Sequence, residues 1–402
     1  MKTEQLYQPR HNSQLSIKLC IIFIGVLVVG FSPHLSFFLL VAALLLAGKF
    51  FDSSTTKLIA LISILSASIC IGSRESFIVE SDDLPRNYAY YELFLQGEYK
   101  TVFENTASAE FLYYTYVWVI AVVLPELTPS GLIVVFCVTI GFAFLFSVRR
   151  LIDDFPLEKR AYATGVLLLF FSFFTASQLV RQMLASSILV AALLEPKRYR
   201  SIGYLIFAFF IHNFALLGYM IGITFMRLGV KYSIFIALSA AAILFSIIFN
   251  PGLLANPVVE ALGGTRLGFW NETIELSNVI ISMENIILAF VTFFAVRQAI
   301  LGNGHIMQRY LVGCSILWFA LLPLPYFSLR ICVVLRTMLL GYYIVKTFDR
   351  QRLRLHVIIA AYFVFRFFKL AYFSSAKSGF DLWEVYGFYS PSYMYFLRFL
   401  FA

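Results

Sequence analysis

The sequence predicts an all-α fold, a polytopic helical bundle in a membrane, and three observations carry that prediction. Sixty per cent of the 402 residues are hydrophobic and only 13% are charged; a soluble chain of this length would carry about twice the charge. Apolar runs of roughly 15–20 residues recur with short polar breaks between them, as they do in chains that cross a hydrocarbon core as helices. Basic residues gather in those breaks, where they fix orientation against the membrane potential and anionic lipid. The net charge of +9 is therefore a topology signal and implies no nucleic-acid partner. No soluble domain, long linker or repeat interrupts the pattern, so residues 1–402 read as a single transmembrane domain.

Charge parity orders the elements. The polar opening Met1 to Ser16 leads into a span with no small-residue cleavage site after it, which reads as retained. With Lys2, Arg10 and Lys18 inside, spans near 17–32, 34–48 and 58–73 bring the chain outside, Lys49 and Lys57 marking an inside turn. An external loop of approximately 74–129 follows, rich in tyrosine and in acids from Asp82 to Glu110. One span near 130–148 then reaches Arg149-Arg150 and Lys159-Arg160 inside, so the apolar piece 107–124 must return to its own side as an interfacial or re-entrant helix. Spans near 161–176 and 180–194 bracket an external turn. Residues 201–226 are too short for two spans of ~20 residues and suit two half-helices with His212-Asn213 at the tip. Spans near 232–249 and 284–300 enclose a second external loop, 250–283. Spans near 309–326, 329–346 and 355–373 leave the tail 374–402 outside. Counting re-entrant pieces, the bundle holds about 11–13 membrane helices.

Against this plan, Arg181 is out of place. The other basic clusters close apolar segments, whereas Arg181 stands alone near the external end of one, where an arginine costs several kcal/mol (roughly 2.5–3.5 on insertion scales). Such a residue points to an anionic ligand. Asp82 and Asp83 lie just past a span exit, where a carboxylate can accept a proton or simply be solvated. Glu110 opens an apolar helix, a position the helix dipole favours by itself. His212 sits between apolar runs at the tip of the broken hairpin, where irregular backbone at membrane depth needs protein or a water-lined cavity around it. Arg330 and Arg336 fall about 120° apart on one helix, and Arg366 with Lys369 lies on the last; these either converge on a phosphate or reach for the interfaces. Tyrosines of the external loop and of the tail (Tyr386, Tyr389, Tyr393, Tyr395) suit sugar stacking or an interfacial aromatic belt. Cys20, Cys70, Cys137, Cys314 and Cys332 have no ligand spacing and read as small packing residues. No metal or nucleotide motif is present, so no metal and no cofactor is expected.

Several of these residues, taken in order, resemble the EpsG/Wzy group of bacterial polysaccharide polymerases. They are Asp83 with Asn87-Tyr88, Glu110, Arg181-Gln182 with alanine three further on, and Ala208 with Phe210-Ile-His212. Arg336 to Tyr342 and the terminal Tyr389-Ser-Pro391 suit the group too. Phe214 and Leu179 depart from it, standing where small polar or hydroxylated residues are usual. The resemblance implies an integral-membrane glycosyltransferase of GT-C-like architecture in the bacterial plasma (inner) membrane, amino terminus cytoplasmic, with its site at the external (periplasmic) face. Its donor and acceptor would be undecaprenyl-diphosphate-linked oligosaccharides, with a chain-length regulator and a flippase as partners and membrane lipid around it.

On that basis Arg181, with Arg330 or Arg336, would hold the donor diphosphate. Asp83, Glu110 or His212 would take the acceptor proton, Asp83 leading, with Gln182, Tyr88 and Asp82 supporting the glycan. The glycosyl transfer would be metal-independent and inverting. Two other readings compete. A lipid-linked glycan flippase or transporter would tend to show an internal repeat, which is not found. An O-antigen ligase uses the same donor but usually has a larger late loop than 250–283.

Overall fold

A computed structural model of the chain describes residues 8–73, 83–105, 110–228, 283–300, 306–322, 330–371 and 396–401, with isolated positions among 232–239 and at 328 and 394. Asp82, the loop 250–283, most of the span 232–249 and most of the tail 374–402 lie outside the described residues. Those described form helices, apart from one antiparallel bridge between Leu127 and Phe401. Among the described residues, three helical segments are long and apolar enough to cross a membrane, Pro33–Phe50, Ser53–Gly72 and Pro129–Asp153, and five more apolar helices are shorter. The protein is an all-α polytopic membrane protein. It divides into two compact units, Met1–Ala215 with Ile359–Ala402, and Leu216–Ile358.

The first unit opens with α1 (Gln8–Phe31), α2 (Pro33–Ala47), a 3₁₀ turn (Gly48–Phe50) and α3 (Ser53–Gly72). Ser32 separates α1 from α2 because Pro33 cannot continue a helix but can begin one, and the Ser32 hydroxyl accepts from the Leu35 N–H at 3.2 Å. Asp52 caps α3 through Thr55 N–H (2.7 Å) and pairs with Lys18 at 2.7 Å. Polar groups also tie the apolar helices together: Ser36 Oγ donates to the Gly25 carbonyl at 2.9 Å and lies 3.2 Å from Ser66 Oγ.

Two short helices that the hydropathy pattern does not announce come next, α4 (Leu84–Leu95) and α5 (Tyr99–Asn105), then α6 (Phe111–Val123). Leu84, Asn87, Tyr91 and Phe94 form the buried face of α4, a helical period. α7 (Pro129–Asp153) is capped by Thr128 and packs on α3 and α10. Its Gly131 lies directly against the Leu400 carbonyl of α17 (Leu397–Leu400), leaving no room for a side chain.

The predicted span 161–176 is interrupted. α8 (Leu157–Phe170) stops, Ser172 Oγ accepts from Thr175 N–H at 3.2 Å, and a separate turn, α9 (Phe173–Gln178), precedes α10 (Val180–Leu194). The far end of α10 is clamped. Arg150 donates to Glu195 Oε2 (2.6 Å) and to the Leu194 carbonyl (2.9 Å), while the other Glu195 oxygen accepts from Lys197 N–H at 3.2 Å. Residues 201–226 do form two short helices, α11 (Arg198–Ile211) and α12 (Phe214–Arg227), broken at His212-Asn213. α12 passes from the first unit into the second.

The second unit continues with α13 (Met283–Ile300), α14 (Ile306–Ala320), a π-helical turn (Val334–Leu339) and α15 (Leu340–Phe348). Trp318 Nε1 donates to Asn285 Oδ1 at 3.1 Å, and Gly313 lets the Phe225 ring reach its backbone. The last long helix, α16 (Arg352–Ala371), begins in this unit and ends in the first.

Candidate active site

Four charged or titratable side chains from four helix ends meet in the first unit. Asp83 precedes α4, Glu110 precedes α6, Arg181 is in the first turn of α10, and His212 occupies the break after α11. Helix ends supply these positions because their backbone leaves the helical path, so the side chains are free to converge.

Glu110 is the centre. One of its oxygens, Oε2, accepts from Arg181 Nη1 at 2.7 Å. The other, Oε1, meets His212 Nδ1 at 2.6 Å and the Asn213 backbone N–H at 3.3 Å. His212 is extended (φ −155°, ψ 118°), which turns the following N–H out of the helix and onto the carboxylate. Glu110 is 5% exposed. Burial works to raise its pKa, but the His212 hydrogen bond, the charges of His212 and Arg181 and the Asn213 N–H outweigh it and hold the carboxyl down at about 2.

The tautomer of His212 follows. An ionised carboxylate only accepts, so Nδ1 must carry the proton. In the neutral ring Nε2 then keeps its lone pair. That atom is buried and makes no hydrogen bond among the described residues.

Arg181 has more donors than it uses here. Nη1 is spent on Glu110, Nη2 stands 3.8 Å from Asp83 Oδ1, and Nε makes no hydrogen bond among the described residues. Nε and Nη2 form one planar fork, the edge that matches two oxygens of a phosphate or carboxylate. The guanidinium also lies 5.9 Å from the Tyr113 ring. Asp83 is held from two sides, its N–H donating to the Gln178 carbonyl at 3.3 Å and its Oδ1 accepting from Arg86 Nη2 at 2.6 Å.

The structure thus brings together Asp83, Glu110, Arg181 and His212. Gln182, 4% exposed, follows Arg181 on α10. Tyr88 turns its hydroxyl to the Leu127 carbonyl at 3.4 Å. Arg330 and Arg336 belong to the second unit, where the Arg336 guanidinium sits 4.9 Å from the Trp318 ring within the π-helical turn. Asp82 lies outside the described residues. Sequence reasoning passes over Arg86, Tyr113 and the Asn213 N–H. Arg86 had a signal, three residues after Asp83 on a helix; an N–H directed by one extended residue has none. Among the described residues no group of three or more His, Cys, Asp or Glu has the arrangement of a metal site.

A family model described as the EpsG family matches residues 59–386, a stretch that includes every member of this network. No curated relative and no solved structure matches the chain. With most of its length matched, and with its charged groups gathered at the ends of apolar helices, the protein belongs to the EpsG family.

Proposed function

We propose that this protein is a polysaccharide polymerase that joins oligosaccharide repeat units carried on undecaprenyl diphosphate, working at the external face of the bacterial plasma membrane. Membership of the EpsG family supports a polymerase-like membrane protein. One observation carries the chemistry: Glu110 holds Arg181 on one oxygen and His212 on the other. A single buried carboxylate thereby fixes an anion-binding fork beside an oriented imidazole.

In this reading the Nε and Nη2 edge of Arg181 receives the donor diphosphate. The acceptor hydroxyl oxygen attacks the anomeric carbon, the bond from that carbon to the phosphate oxygen breaks, and the lipid diphosphate leaves with the electron pair. The hydroxyl proton passes to His212 Nε2. Attack opposite the leaving group inverts the anomeric centre. Arg181 stabilises the charge that develops on the diphosphate, and Glu110 orients the imidazole and stabilises its protonated form, as the carboxylate does in a catalytic triad. Asp83 Oδ1 accepts from Arg86 Nη2 and faces Arg181 Nη2, so in this reading Asp83 holds the guanidinium and His212 is the base. The diphosphate must also draw Arg181 partly away from its carboxylates, and that exchange makes Glu110 a stronger acceptor for the His212 proton.

The test is polymer formation by purified protein from lipid-linked repeat units, comparing wild type with His212→Gln, Glu110→Gln and Arg181→Lys. Loss of polymer with retained donor binding in His212→Gln is expected. Transport of the lipid-linked unit without any new glycosidic bond would replace the proposal with a flippase. Transfer only to a different acceptor would replace it with a ligase.

A further inference from the structure

Arg366 lies on α16, 195 positions after Phe171 in sequence, and is only 9% exposed. A guanidinium so enclosed among apolar helices is expensive and needs strong partners. Its Nη2 donates to the Phe171 carbonyl at 2.5 Å, and its guanidinium carbon stands 5.9 Å from the Phe37 ring. The carbonyl it holds belongs to the extended residue that caps the end of α8, and is otherwise met by the Phe173 N–H at 3.2 Å. A cation is the natural partner for a carbonyl at a helix carboxyl end, where the dipole is negative.

What hangs from that break is the candidate active site. From Ser172 the chain enters α9, a helix of six residues. Cys137 Sγ approaches the Phe173 carbonyl at 3.7 Å, and the Gln178 carbonyl accepts the Asp83 N–H at 3.3 Å. Leu179 leaves the helical path and Arg181 follows two residues later. Between the carbonyl that Arg366 holds and the Arg181 side chain there is only this short turn. Displacing its start would shift Asp83 and Arg181 together.

We infer that Arg366 is a positioning residue: by fixing the Phe171 carbonyl it sets the start of α9, and through α9 the places of Asp83 and Arg181. The consequence for substrate rests on the reading of Arg181 as the diphosphate site; the fixing of α9 does not. The bond to the Phe171 carbonyl is a single N–H donation, which a lysine ammonium can also supply.

The experiment pairs two readouts on full-length protein in lipid nanodiscs, for Arg366→Gln, Arg366→Lys and Ser172→Ala. Backbone hydrogen exchange is followed over residues 172–182, with 135–148 of α7 as the internal reference. The apparent KM for lipid-diphosphate donor is measured alongside kcat. Arg366→Gln should speed exchange over 172–182 relative to α7 and raise donor KM about tenfold, the loss of roughly one charge-assisted contact. Arg366→Lys should restore most of both. Ser172→Ala removes the α9 cap without touching a charge, so it should speed exchange in the same segment if Arg366→Gln does not assemble. Unchanged exchange over 172–182 in a folded Arg366→Gln protein, or in Ser172→Ala if that is the only one to fold, overturns the inference. An unchanged donor KM when exchange has risen leaves the fixing of α9 standing and overturns its consequence for substrate. If wild type forms no polymer, the glycosyl-transfer reading fails, and the exchange data alone then decide whether Arg366 positions α9.

Discussion

The tripeptide Val-Arg-Gln occurs twice, at Val180-Arg181-Gln182 and at Val296-Arg297-Gln298, and the protein treats the two copies differently. Arg181 lies in the first turn of α10, with its side chain 16% exposed and paired to Glu110. Arg297 lies in the last turn of α13 with its side chain exposed, while Gln298 donates to the Thr347 carbonyl at 2.9 Å and accepts from Gln308 at 3.1 Å. A cation at a helix carboxyl end is stabilised by the dipole, whereas one at the amino end is opposed by it. Arg297 therefore sits where the helix favours it, and there the neighbouring glutamine does the packing. Arg181 sits where helix and burial both oppose it, and two carboxylates from other helices offset the cost. The tripeptide carries no function of its own; the carboxylates opposite it do.

Substitutions can break or sharpen this contrast. The largest effect should come from His212→Gln, which keeps a side chain of similar reach but removes the proton acceptor. Loss of general-base assistance should lower polymer formation by about 10²–10⁴ at matched expression. Near-normal rates would remove His212 as the base and return the role to Asp83 or Glu110. Next comes Arg181→Lys, expected to lose roughly tenfold to hundredfold in activity because the planar fork is gone although the charge remains. Full activity with lysine would reduce Arg181 to a helix anchor.

A smaller effect is expected from acid. The folded pKa of Glu110, about 2, is below its ordinary 4.5, so its ionic contribution to stability is fully present above the ordinary value and is lost as pH falls toward the folded one. An acid limb in polymer formation above pH 5 must then belong to a group other than Glu110. If Glu110→Gln alone removes that limb, the assignment of Glu110 as the ionised orienting group is wrong. Smallest of all, Arg297→Lys and Arg297→Gln should leave polymer formation within about twofold, since exposed substitutions away from special contacts change stability by ~0.5 kcal/mol or less. Equal tolerance at Arg181 and Arg297 would erase the comparison.

The long unbroken helices were legible in the sequence because continuous apolar residues and their caps specify them locally. Ser32-Pro33 and Asp52 mark α2 and α3, and Thr128-Pro129 opens α7. The break between α8 and α9 was not, because the partner of the Phe171 carbonyl arrives from α16. In the site the individual residues stood out: an arginine on the wrong helix end, an acid ahead of an apolar helix, a histidine between apolar runs. Their convergence did not, since Glu110 is 71 positions from Arg181 and 102 from His212. Chemistry was written in residue types, and geometry in contacts that no local pattern encodes.

The clamp at the far end of α10 limits how this site can move. Arg150 and Glu195 hold one end of a helix about 22 Å long, and Glu110 holds Arg181 at the other. A rod pinned at both ends neither slides nor tilts without releasing one pin. In the proposed reaction the pin that yields is the one at Glu110, where the diphosphate draws on Arg181, so motions that admit a bulky lipid-linked sugar pivot on the Arg150–Glu195 end. Cross-linking Arg150 to Glu195 positions, as a cysteine pair, should then leave turnover intact, and a loss of turnover would place the movement at that end instead.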